Sequence, residues 1–164
     1  MELIFFCLIC NEKNQKDIKV MITNNHVIGD DYLNNNKTIK ISMNNGKKIM
    51  DIKLDSSRKK YTNKEYDVTI IEIKEDDKIK ENSFLQIDEN IYQENPKDFF
   101  LKKSIYIFQY PDYFEASVSY GILKRIKENN DLEHYCITNV GSSRSSIINL
   151  ENNKVLGVHK CGSV

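Results

Sequence analysis

His26, Asp67 and Ser143 are residues whose types and order suit nucleophilic catalysis. Each stands at the end of a strand-like apolar run. The segments are Thr23-Asn24-Asn25-His26-Val27-Ile28, Tyr66-Asp67-Val68-Thr69-Ile70-Ile71 and Gly141-Ser142-Ser143-Arg144-Ser145-Ser146. A serine hydroxyl becomes an effective nucleophile when a base takes its proton, a third group orients that base, and backbone N–H groups receive the charge developing on the carbonyl oxygen. Singly, each segment has a plainer meaning: a structural histidine, a cap before a strand, a Gly-Ser-Ser turn. Jointly, three such segments in this order with strand-like flanks are far less easily had by chance.

Residues so far apart in the chain must be brought together by strands. Short runs with period-two alternation and β-branched or aromatic enrichment predict strands at Glu2–Leu8, Asp17–Thr23, Thr38–Met43, Lys48–Leu54 and Asp67–Ile73. A second set falls at Ser104–Gln109, Ala116–Ile126, Glu133–Thr138, Ser146–Leu150 and Lys154–His159. Asn44-Asn45-Gly46 and Glu151-Asn152-Asn153-Lys154 read as hairpin turns. Between Lys74 and Lys103 the alternation fails, and a charged stretch with Pro96 connects the two sets, with a helical turn near Glu94–Phe100. Regular short strands with turns between them predict an all-β barrel or sandwich.

The three segments resemble those of the chymotrypsin-like (trypsin-like) serine peptidases, whose patterns run T-x-x-H-V, D-V/I-A/T-L/I-L/I and G-x-S-G-S/G-P. The order His, Asp, Ser is that of this clan, and the compact spacing is similar to that of the glutamyl endopeptidases. Gly157-Val158-His159 is similar to the family's G-I-H strand. The resemblance implies two packed antiparallel barrels of the six-stranded type: residues 1–80 carrying His26 and Asp67, a connection at 81–102, and residues 103–164 carrying Ser143. It implies Ser143 as nucleophile, His26 as base, Asp67 as orienting group, and the N–H groups of Gly141 and Ser143 as oxyanion hole. Thr138 and His159 match the family positions that contact an acidic substrate side chain. No metal or cofactor is implied, and the partner is a peptide or protein substrate.

The chain also departs from the pattern. Arg144 stands where the family has glycine, Ser146 where it has proline, and Ser142 where Asp or Asn is common. Glycine often marks a backbone angle or close approach that no side chain suits. Both ends are short against the pattern, so an incomplete second barrel is expected. Two alternatives to an active endopeptidase therefore stand: a pseudoprotease that binds peptides, and a small β-barrel interaction module.

The remaining composition narrows the partners. Lys and Arg number 24 against 24 Asp and Glu, a formal net charge of +0 that gives no electrostatic footprint for nucleic acid. No apolar run approaches the ~20 residues that span a bilayer, and the N-terminus lacks a basic leader region, so an intracellular monomer is expected. Cys7, Cys10, Cys136 and Cys161 read as reduced, buried thiols: in a strand, Cys7 and Cys10 point to opposite faces and suit a shared metal badly. His134 lies outside any motif and reads as a strand-surface residue, and Lys160 as a solvated one.

Overall fold

A computed structural model of the chain describes residues 5–9, 17–43, 48–113 and 115–160. Cys10, Cys161 and the Asn44-Asn45-Gly46 turn lie outside the described residues. Two compact units divide the chain, Met1–Leu85 and Gln86–Val164.

The first unit contains β1 (Phe5–Ile9), β2 (Ile18–Thr23), β3 (Thr38–Met43), β4 (Lys48–Lys53), β5 (Lys60–Asn63), β6 (Val68–Glu72) and β7 (Phe84–Gln86). One sheet has the order β5-β6-β2-β1-β7, and β3 with β4 forms a separate two-stranded sheet. The alternation read from sequence sets the faces. Thr69, Ile71 and Ile73 point inward, as do Ile39 and Ile41, and all five are buried. Met21, Ile28, Ile52 and Leu54 close the core between the sheets. A short helix, α1 (Asp30–Leu33), follows β2 with two acids in its first turn and buries Leu33 in that core.

The second unit contains α2 (Pro96–Phe100), β8 (Ser104–Gln109), β9 (Ser117–Ile126), β10 (Leu132–His134), β11 (Ser146–Asn149) and β12 (Val155–Val158). Its sheet has the order β10-β9-β8-β11-β12. The two ends of that order curl toward each other, because a Cβ added at Gly157 of β12 would lie 2.9 Å from Leu132 Cδ1 of β10. Ile105, Ile107, Leu123 and Ile147 fill the interior with Phe100 from α2. The expected strand Glu133–Thr138 is shorter than its alternation predicts: β10 ends at His134. One main-chain bond still follows, Tyr135 N donating to Ile122 O at 3.1 Å, and the chain then passes over the bare backbone of Gly121 on β9, where a Cβ would lie 2.6 Å from Cys136 N.

A fully buried carboxylate organises the start of the second unit. Asp88 Oδ2 accepts from Asn149 Nδ2 at 3.0 Å and Asn152 Nδ2 at 2.8 Å, and Oδ1 accepts from Asn90 N at 3.2 Å and Asn90 Nδ2 at 2.8 Å. Burial pushes the Asp88 carboxyl up, but the amide donors of Asn152, Asn149 and Asn90 outweigh it and hold the pKa below the usual carboxylate value. A depressed folded-state pKa means that the stabilisation is present above the ordinary pKa and is lost as pH falls through it. Asp88→Ala strips the charged acceptor from the buried amide of Asn149 and from the amides of Asn90 and Asn152. We expect it to cost about 3 kcal/mol, read as a shift in urea midpoint at neutral pH. The difference from the parent should shrink on acidification.

Candidate active site

The register of β2 and β6 brings the first two candidates together. Thr23, the last residue of β2, pairs with Thr69 near the start of β6. The strands are antiparallel, so the turn leaving β2 and the turn entering β6 lie at the same end of the sheet. His26 is on the former and Asp67 on the latter. Asp67 adopts φ 52°, a left-handed conformation that Asp tolerates better than most residues, and its N–H donates to Lys64 O at 3.3 Å. His26 donates twice to its carboxylate: the main-chain N to Oδ1 at 2.9 Å and Nδ1 to Oδ2 at 2.7 Å. An ionised carboxylate only accepts, so the ring proton belongs on Nδ1 and the Nε2 lone pair is left free. The histidine side chain is half exposed and the Asp67 side chain 20% exposed, so the base is reachable while its partner is largely shielded.

A polar layer unread in the sequence buttresses this pair. Asn24 Nδ2 donates to Asp67 O at 3.0 Å, and Asn25 Nδ2 donates to Thr62 Oγ1 at 2.7 Å. Thr62 Oγ1 meets Thr69 Oγ1 at 2.6 Å, and the Thr69 hydroxyl donates to Ile28 O at 2.7 Å. Thr69 and Asn24 are buried. Their signal in the sequence is faint: polar residues at strand ends that alternation alone does not distinguish from solvent-facing ones.

Ser143 sits on the turn that enters β11. Ser142 N donates to Asn139 O and Ser145 N to Ser142 O, at 3.1 and 3.3 Å, while Asn139 N donates to Ser142 Oγ at 3.1 Å. Arg144 N donates to His159 O and His159 N to Ser145 O, both at 2.8 Å, which locks the turn onto the end of β12. Gly141 has φ 89° and Arg144 φ 78°. The angle that glycine would supply is therefore present, and an arginine adopts it, with its Nε donating to Ser143 O at 3.1 Å. Among the described residues, the N–H groups of Gly141 and Ser143 donate to no protein acceptor. The Ser143 hydroxyl donates to Lys160 O at 3.1 Å. Of the described cysteines, burial pushes the Cys7 thiol up to about 12 and the Cys136 thiol up to about 11, which makes both poor nucleophiles.

Thr138 and His159 are not brought into contact by any hydrogen bond among the described residues. Thr138 lies half-buried in the irregular stretch after β10. The His159 ring meets His134 instead, with Nδ1 of His159 3.3 Å from Nε2 of His134 and ring centroids 5.3 Å apart. His134 is thus half-buried and paired across the sheet ends, where a surface residue was expected. Lys160 is likewise tied down, its Nζ donating to Asp131 Oδ1 at 2.8 Å. Burial, then the neighbouring His134, pushes the His159 pKa down to about 4. Burial also lowers that of His134, offset in part by the Cys136 main chain.

The depressed His159 value has a measurable sign. Unfolded histidine titrates near its ordinary 6.5, so between that pH and about 4 the unfolded state binds the extra proton and stability falls as pH falls. The expected loss over this window is about 3 kcal/mol. His159→Gln should flatten that part of a stability–pH profile; an unchanged slope would mean that the burial of His159 is not what the acid sensitivity reports.

No protein-family model matches the sequence, and no curated protein sequence matches it. Solved structures do match the fold, which is that of the chymotrypsin-like serine proteases. The serine endoprotease from Yersinia pestis superposes with a TM-score of 0.61 at 15% identity, over 98% of this chain and 54% of that one. The HtrA-type protease AlgW, solved with a decapeptide, superposes with a TM-score of 0.60 at 12% identity, over 99% and 55%. The chain therefore spans about half the length of these neighbours.

Proposed function

We propose that the protein is a serine endopeptidase acting through an acyl-enzyme. Ser143 attacks the scissile carbonyl and its proton passes to Nε2 of His26. Asp67 holds the ring tautomer and stabilises the imidazolium. The free N–H groups of Gly141 and Ser143 receive the oxyanion, and His26 returns the proton to the leaving amine before water completes the cycle. The observation that carries this reading is the double donation of His26 to one carboxylate at 2.7 and 2.9 Å. A merely structural histidine does not need an oriented ring with its other nitrogen open. Similarity to the glutamyl endopeptidases adds the finer proposal that Thr138 and His159 favour cleavage after Glu or Asp.

Purified protein should react with a fluorophosphonate probe at Ser143, mapped by peptide mass, and lose the adduct in Ser143→Ala and His26→Ala. Peptides with Glu or Asp before the scissile bond should then be cleaved faster than their Ala counterparts. Folded protein without an adduct would favour a second reading, a peptide-binding pseudoprotease. Its supporting observations are the arginine at φ 78° beside the nucleophile and the Ser143 hydroxyl engaged by a carbonyl.

A further inference from the structure

We propose that His134 and His159 form a binding site for a divalent transition cation of the Zn²⁺ type, with His134 Nε2 and His159 Nδ1 as its protein ligands. The ring nitrogens lie 3.3 Å apart. That is a hydrogen bond at the long end of the range, its donor set by the tautomer. It is also the separation that two zinc–nitrogen bonds of about 2.0–2.1 Å subtend at a tetrahedral ion.

The placement follows from the sheet. Leu132 of β10 lies over Gly157 of β12. Beyond them, His134 at the end of β10, past a register shift after Glu133, meets His159 just after β12. The His159 main chain is held on both sides, by Arg144 N and to Ser145 O. The ligands are thus presented by ordered elements, which lowers the cost of gathering them.

The chemistry of the rings agrees. Neutral imidazole is the form that binds metal, and a cation here would replace the hydrogen bond between the two rings. His134 Nδ1 is buried and has no hydrogen bond of ordinary geometry. A cation on Nε2 fixes the ring proton on Nδ1, where the Cys136 main chain is its neighbour, the backbone support usual for ligating histidines. Among the described residues, no group of three His, Cys, Asp or Glu side chains gathers around an ion. The site therefore has two protein ligands and completes its coordination with water, which makes it an exchangeable site rather than a folding site. It stands whether or not Ser143 is a nucleophile.

The test is titration of the whole chain with Zn²⁺ by calorimetry, and with Co²⁺ for the visible absorption of a four-coordinate nitrogen site. One equivalent should bind, about ten-fold or more weaker in His134→Gln and in His159→Gln, and unchanged in His26→Ala. If His159→Gln does not fold, the half-buried His134→Gln decides. Absence of binding at millimolar Zn²⁺, or binding that survives loss of His134 through the thiols or His26, overturns the proposal.

Discussion

Asp77→Ala is expected to destabilise the first unit by about 3–5 kcal/mol, the loss usual when one partner of a buried ion pair is removed. Arg58 and Asp77 are 6% and 8% exposed at their side chains and meet in a fork, Nη1 to Oδ2 at 2.6 Å and Nη2 to Oδ1 at 2.9 Å. The guanidinium also donates to Lys53 O from Nε at 3.0 Å and to Glu72 O from Nη1 at 2.6 Å. Lys74 N donates to Asp77 Oδ2 at 2.7 Å and fixes the 3-10 turn Glu75–Asp77. One pair thus ties the ends of β4 and β6 to the turn that follows. Removing Asp77 leaves a guanidinium in a dry site with its fork unmatched. Exchanging both residues for apolar ones of similar volume, Arg58→Met with Asp77→Leu, should cost much less than either single loss. Urea unfolding of the two single variants and the double variant measures this. A loss below about 1 kcal/mol for Asp77→Ala would place the pair with solvent-exposed salt bridges instead.

Strands with clean alternation could be read directly. Thr38–Met43 is as predicted, and the strands expected at Asp67–Ile73 and Ala116–Ile126 are found within those bounds as Val68–Glu72 and Ser117–Ile126. The strands that escaped were short. Lys60–Asn63 is four residues of Lys, Tyr, Thr and Asn at a sheet edge, and Phe84–Gln86 is only three residues long. Neither presents enough alternating positions to stand out from a loop. Arg58 gave no warning either, because a buried arginine is recognisable only through a partner far along the chain.

The candidate site divides in the same way. The meeting of His26 and Asp67 follows from strand order and register, which alternation encodes. The special backbone at Arg144 was legible as a glycine position occupied by another residue, and φ 78° is its physical content. The His134–His159 pair was not legible. It joins strands at opposite ends of the sheet order, and only the curl of that sheet makes them neighbours.

Asp67→Asn should slow acylation of Ser143 by about four orders of magnitude, as is usual for this exchange in Ser-His-Asp triads. The reason is tautomeric. Asp67 accepts from His26 N and from His26 Nδ1 at once. An asparagine can offer its single oxygen to only one of them. With that oxygen on the main-chain N–H, the amide NH₂ faces Nδ1, the ring proton moves to Nε2, and the nitrogen that should take the serine proton no longer can. The isosteric exchange leaves Asn24, Thr62 and Thr69 in place, so the fold should persist. Arg144→Gly should act in the opposite direction. It relieves a left-handed arginine, worth about 1 kcal/mol of stability, and lets the turn that aims the Ser143 hydroxyl and the Gly141 and Ser143 N–H groups adopt its angle without strain. Second-order rates of fluorophosphonate labelling for the two variants, each against the parent, read both effects. An Asp67→Asn rate within about three-fold of the parent, less than 1 kcal/mol in activation free energy, would remove His26 from the role of base.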